Sequence, residues 1–199
     1  MKSLAIFASG SGTNAGNIIQ YFKNHPNIRV DSVWSNKKNA YVLQRAANMG
    51  IESHYFSREE FSKPDQMIAE LQRRQIDLIV LAGFLWLIPA EFIDAFPIIN
   101  IHPALLPGYG GKGMYGSFVH ESVVRNREKE SGITIHLVNK AYDEGAQLLQ
   151  VRCPVLPDDT PESLAERIHA LEYNYFPQAI EDYLNQNNNT QFQVTNSVN

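Results

Sequence analysis

Apolar positions along this chain fall into two alternating rhythms. Short unbroken apolar runs read as buried strands: "LAIFA" at residues 4–8, "IRVDSVW" at 28–34, a short stretch at 51–55, "DLIVLAG" at 77–83 and "FPIINIH" at 96–102. Between them lie segments with apolar residues at helical spacing. "NAGNIIQYFKN" (14–24), "AYVLQRAANMG" (40–50, closed by a glycine) and a stretch around 64–74 each predict a helix. Continuous apolar strands such as "DLIVLAG" are what a parallel sheet covered on both faces requires. The β-α-β-α rhythm therefore predicts an α/β, Rossmann-like layered fold with a mostly parallel central sheet and helices on both faces.

The second half changes character. A helix around 117–127 leads into "GITIHLVN" (132–139) and "GAQLLQVRCPV" (145–155), close enough in sequence to predict an antiparallel pair extending the sheet. "DDTPESLAERI" opens the last helix, with Thr160 as N-cap and Pro161 in the first helical position. Pro177 should kink or split that helix. From Asn185 the chain is rich in Asn and Gln and has no periodicity, which predicts one domain over 1–184 and a disordered polar tail over 185–199.

Composition narrows the class. With 199 residues, 44% hydrophobic and 19% charged, the chain has the make-up of an ordinary globular domain. A net charge of −4 argues against a general nucleic-acid binder, which needs a basic surface. The single cysteine, Cys153, excludes an intramolecular disulfide and any multi-cysteine metal site, and its strand-like context reads as a small buried thiol. The N-terminal apolar run is too short for a signal peptide or a membrane span, so the expected location is cytoplasmic.

Chemistry-bearing residues gather at the ends of predicted strands. "ASGSGTN" (8–14) follows the first strand and opens the first helix, where glycines permit close approach and free amides favour an anion. A phosphate monoester, a dinucleotide and a merely tight turn remain the three readings; no acidic residue ends the second strand, as a dinucleotide site would require. "HESVV" (120–124) begins like a zinc helix, but Val124 stands where the second histidine belongs, so no metal is expected. His25, His54 and His169 read as surface or packing residues, while His136 alternates with apolar neighbours and reads equally as structural or ligand-facing. Asn100 and His102 stand at i and i+2 at the end of a predicted parallel strand, so both side chains point the same way. Asp143, in the loop "KAYDEGAQ", could fold back over that edge and favour a protonated His102. An amide and an imidazolium together suit a developing oxyanion, although such residues also serve as local hydrogen-bond fixtures.

"SGSGTN" near residue 10, "LAGF" at 81–84, "NIHPALLP" at 100–107 and "YDEGAQLLQ" at 142–150 together resemble the phosphoribosylglycinamide formyltransferase family, the folate-dependent glycinamide ribonucleotide transformylases of purine synthesis. The resemblance runs in order over roughly residues 2–184. It implies direct formyl transfer from 10-formyltetrahydrofolate, as cosubstrate, to the amine of glycinamide ribonucleotide, with two small-molecule partners and no metal; monomer and homodimer both stay open. It also implies a catalytic trio of Asn100, His102 and Asp143. Gly12, Thr13 and Asn14 match the substrate-phosphate loop, and Glu172 matches the acid that holds the ribose. Phe84, Leu85, Trp86, Leu87, Ile88, Val138 and Asp143 match the folate pocket. Two departures stand out: Trp86 lies where better-known members carry a basic residue nearby, and "GYGGKGMYG" (108–116) lacks a histidine common among relatives. Other formyl-folate enzymes normally carry an additional domain, for which this chain is expected to have no room.

Overall fold

The computed structural model describes residues 1–186. Its sheet has seven strands: β1 (Lys2–Phe7), β2 (Ile28–Ser35), β3 (Glu52–Tyr55), β4 (Leu78–Leu81), β5 (Ile98–His102), β6 (Glu130–Leu137) and β7 (Gln147–Pro154). They lie in the order β3-β2-β1-β4-β5-β6-β7. The first five pair in parallel, and β6 and β7 extend the sheet antiparallel, as the two rhythms predicted. Helices α1 (Thr13–Phe22), α2 (Tyr41–Asn48), α3 (Arg58–Ser62), α4 (Asp65–Arg73), α5 (Ala90–Ala95), α6 (Ser117–Arg125) and α7 (Pro161–Gln186) complete the layers.

Alternation along each strand divides the core in two. On β1, Leu4 and Ile6 join one apolar cluster, with α1, α2, α6 and α7, while Ala5 and Phe7 join the other. Phe7 meets Phe84 and Phe92 edge-on, with ring centroids 5.7 and 5.9 Å apart. On β5, Ile99 and Ile101 face the first cluster and Ile98 the second. Asn100 and His102 continue the line of Ile98 beyond the apolar core. The strand thus shifts from packing to chemistry along a single face.

Several details differ from the predicted elements, which did not include α5. The helix expected near 64–74 is preceded by α3, whose signal was a capping box: Ser57 Oγ accepts from the Glu60 amide at 3.2 Å, and Glu60 accepts from the Ser57 amide at 2.6 Å. Helix α7 reaches Gln186, so Asn185 and Gln186 are helical; the rest of the predicted tail, 187–199, lies outside the described residues. Pro177 does not split α7. A proline there leaves the Tyr173 carbonyl, four residues back, without its helical donor. Asn17 of α1 supplies one, its Nδ2 donating to that oxygen at 2.8 Å. The predicted start of α7 holds: the Ser163 amide donates to Thr160 Oγ1, and the Thr160 amide to Ser163 Oγ. Among the described residues no helix is long and apolar enough to cross a membrane.

If Asn17 replaces the bond that Pro177 forfeits, Asn17→Ala should lower the urea-unfolding free energy by about 0.5–1.5 kcal/mol. In a Pro177→Ala background, where the amide returns, the same change should matter less. Equal losses in both backgrounds would remove the capping role.

Candidate active site

Strands β1 and β4 are neighbours whose connections leave in opposite directions, and ligands of open α/β sheets bind outside such a switch point. A cleft of about 710 Å³ opens there. It is lined by Gly12, Thr13 and Asn14 after β1, by Phe84 to Ile88 after β4, by Asn100 and His102 on β5, by Val138 and Asp143 after β6, and by Glu172 of α7. Every residue that the resemblance placed in the catalytic, phosphate, ribose or folate site thus lines one cleft. Trp86 keeps its departure from the better-known pattern: its ring lies under the Arg58 guanidinium, 4.5 Å from centroid to cation.

Register builds the polar end. The β5–β6 pairing sets Asn100 opposite His136 and His102 opposite Thr134. His136 Nδ1 lies 2.9 Å from the Leu137 carbonyl, which can only accept, so that nitrogen carries the proton. Its Nε2 then accepts from Asn100 Nδ2 at 3.1 Å, fixing which way the amide points and leaving its second N–H for a ligand. His102 Nε2 donates to the Tyr109 carbonyl at 2.7 Å. Thr134 locks the exit of β5, donating to the Ala104 carbonyl at 2.7 Å and accepting from the Leu106 amide at 3.0 Å. Gln150 adds a 3.0 Å bond to the Leu106 carbonyl.

Asp143 closes the cluster from the β6–β7 loop. Its φ of 57° lies in the left-handed region that aspartate tolerates. Its Oδ2 accepts from the Gly111 amide at 2.9 Å and lies 3.6 Å from His102 Nδ1, while Oδ1 lies 3.6 Å from His136 Nε2. Gly110 lets that loop approach: a Cβ there would fall 2.6 Å from Leu106 Cδ2 and 3.3 Å from Asp143 Cβ. Burial pushes the Asp143 carboxyl up, yet its polar surroundings, with the Gly111 amide donating at 2.9 Å, hold it below its ordinary range. For His102 the balance goes the other way. Burial pushes its pKa below the ordinary histidine value, and the Asp143 carboxylate and the Tyr109 carbonyl recover part of the loss. Asp143 thus works toward a protonated His102 from 3.6 Å, and burial works against it.

The opposite end forms where α1 begins. Gly12 caps that helix in the left-handed region, at φ 71°, and leaves the first-turn amides of α1 without helical partners. Glu172, 5% exposed, accepts from Asn14 Nδ2 and from His169 Nδ1, each at 2.9 Å. His169 was read as a surface or packing residue; it lines the cleft, and Glu172 raises its pKa. The i, i+3 spacing of His169 and Glu172 on a helix was the available signal. His25, paired with Glu181, and His54, stacked on Trp34, do serve packing. His120, set aside with the failed zinc motif, is buried and lines the same cleft.

The whole describes an α/β protein whose cleft sets the start of α1 opposite an amide–imidazole–carboxylate cluster. The family described as Formyl transferase matches residues 2–180, and this chain belongs to it. Phosphoribosylglycinamide formyltransferase of Haemophilus influenzae is 37% identical over 188 residues, covering 90% of this chain and 86% of that protein. The chloroplastic enzyme of that name from Arabidopsis thaliana is 38% identical over 187 residues, covering 90% of this chain; the chain spans 64% of that protein's length. The crystal structure of phosphoribosylglycinamide formyltransferase from Bacillus halodurans superposes with a TM-score of 0.85 at 32% identity, covering 96% of this chain and all of that one.

Gly12 has a packing reason as well as a conformational one. A Cβ at this position would collide with the Val42 side chain of α2 and would not point into open cleft. Gly12→Ala is therefore expected to destabilise the fold by about 1–3 kcal/mol, through overpacking and backbone strain. Adding Val42→Ala should relieve part of that loss in thermal unfolding. A Gly12→Ala protein as stable as the wild type would overturn this account.

Proposed function

We propose that this chain transfers the formyl group of 10-formyltetrahydrofolate to the amine of glycinamide ribonucleotide, a one-carbon step of purine biosynthesis in the cytoplasm. The observation that carries the reading is the two-ended cleft. A phosphate can sit on the first-turn amides at Gly12, Thr13 and Asn14 while the other end of the same molecule reaches Asn100, His102 and Asp143. Glu172, buried beside Asn14, is placed for the sugar between them. The apolar wall from Phe84 to Ile88, with Val138, suits the flat ring system of a folate.

In this reading the free amine attacks the formyl carbon and the formyl oxygen takes up negative charge. Asn100 offers the N–H not used on His136, and His102 offers its imidazole, to that oxygen. The carbon–nitrogen bond to the folate then breaks, and the proton lost by the amine passes by way of water to the departing folate nitrogen. As charge builds on the oxygen the His102 ring takes up a proton from solvent water, with Asp143 beside it to stabilise the cation, and it returns that proton to water when the tetrahedral adduct collapses. No covalent bond to the protein is required. The partners are the two small molecules, and the assembly is a monomer or a homodimer.

The direct test mixes purified protein with 10-formyltetrahydrofolate and offers glycinamide ribonucleotide or water as acceptor. Formyl transfer to the ribonucleotide is expected, and formate with ATP should not replace the folate. Release of formate without transfer would replace this reading with a deformylase.

The carboxylate gives a prediction with a definite sign. Asp143 raises the pKa of His102, so Asp143→Asn should lower it further. If the imidazolium works in the transition state, the alkaline fall of kcat/KM should move to lower pH in that variant. Turnover at neutral pH should drop about 10²-fold or more, within the ~10²–10⁴ typical of positioned acid–base groups. An unmoved pH profile with near wild-type turnover would remove Asp143 from the chemistry.

Asn100 is tested by comparing two replacements. Asn100→Ala deletes a donor aimed at charge present in the transition state and should lower kcat roughly 10²–10³-fold while sparing both KM values. Asn100→Asp should be at least as damaging, because it sets negative charge against a forming anion. An Asp variant that keeps most of the turnover would make Asn100 a strand-end fixture.

A further inference from the structure

Five buried side-chain polar atoms have no hydrogen-bond partner among the described residues: Asn14 Oδ1, Asn36 Oδ1, His54 Nε2, His120 Nδ1 and Ser131 Oγ. An unpaired buried polar atom costs about 1–3 kcal/mol, so each one calls for an explanation. Asn36, His54 and Ser131 do not line the cleft; Asn14 and His120 both do, with Glu172. His120 is 3% exposed on the buried face of α6. Its ring stands perpendicular to that of His169, the partner of Glu172, with centroids 6.5 Å apart.

Resting on the functional reading above, in which Glu172 holds the sugar, we propose that His120 also contacts the substrate and that its Nδ1, with Asn14 Oδ1, receives a hydroxyl of that sugar. Asn14 Oδ1 and the Glu172 carboxylate can only accept, which suits groups that donate. A hydroxyl both donates and accepts, so it satisfies His120 Nδ1 in either tautomer. A phosphate oxygen would need a protonated ring. Burial opposes that form, His169 opposes it further, and Glu172 favours it without prevailing. His120 is thereby suited to a neutral hydroxyl, while the start of α1 remains for the phosphate. Asn14 serves the site twice, its Nδ2 holding Glu172 and its Oδ1 free for the sugar.

The test measures steady-state kinetics with glycinamide ribonucleotide and with its 2′-deoxy and 3′-deoxy counterparts. His120→Phe should raise KM for the ribonucleotide roughly 3- to 30-fold, the range of a hydrogen bond lost within a buried cluster. Changes in kcat and in KM for the folate should stay within about twofold. On the deoxy substrate that lacks the contacted hydroxyl, the same substitution should have no further effect. His120→Asn, which keeps a polar atom near the place of Nδ1, should recover most of the affinity. His120→Leu serves where the larger ring is not accommodated, with the same pattern expected. The Phe variant should unfold no earlier than the wild type, since it removes an unpaired atom. A loss of equal factor on all three sugars, or one carried by kcat, would overturn the proposal. So would a fully active His120→Phe beside an active wild type, leaving the functional reading untouched. A wild type unable to formylate the ribonucleotide would sink that reading and this inference with it.

Discussion

The site depends on one register, the antiparallel pairing of β5 with β6. Asn100 meets His136 and His102 meets Thr134 because those residues stand opposite each other across the ladder. Side chains alternate between faces with a period of two, so a slip of one residue would turn Asn100 and His102 into the apolar core. The same slip would separate Thr134 from the Ala104 carbonyl and the Leu106 amide, which fix the chain as it leaves β5. Strand pairing, loop anchoring and side-chain orientation are therefore one constraint. The Tyr109 carbonyl and the Gly111 amide carry it into the next loop, holding His102 and Asp143 respectively.

Burial and charge oppose each other throughout the cleft, and the outcome differs from group to group. Asp143 keeps its charge in polar surroundings, with the Gly111 amide donating to it. His102 and His120 lean neutral because burial exceeds what nearby carboxylates return. His169, about half exposed and hydrogen-bonded to Glu172, leans the other way. The cleft thus gathers groups with shifted pKa values around Asp143 and unpaired buried atoms at Asn14 and His120. Both features work against stability in the free protein, and both suit a cleft completed by its ligand.

Helix α7 shows how local chemistry is settled from a distance. Pro177 is a helix breaker by its own properties, yet the helix continues because Asn17, far away in sequence, supplies the missing donor. The same helix carries Glu172 and His169 to the cleft, so the α1–α7 contact serves both the fold and the site. Gly12 is a parallel case. The sequence marks it as a place where backbone could approach a ligand, but Val42 of α2 occupies the space a side chain would need.

Much was legible in the chain itself, because periodicity and strand-end chemistry are local. The parallel strands, the antiparallel extension, the start of α7, and the alignment of Asn100 with His102 follow from spacing, and the family resemblance assigned the remaining site residues. His120, His136 and His169 were not legible as a group, since their neighbours come from other elements. His136 acquires its role from the residue opposite it in the ladder, His169 from the carboxylate one turn along, and His120 from the cleft wall that encloses it. At His102 only half of the balance was legible: a nearby carboxylate can be read from a motif, whereas desolvation is set by everything packed around the ring. Residue type and spacing decided which groups could do chemistry here, and three-dimensional packing decided their charge and what remained for a ligand to satisfy.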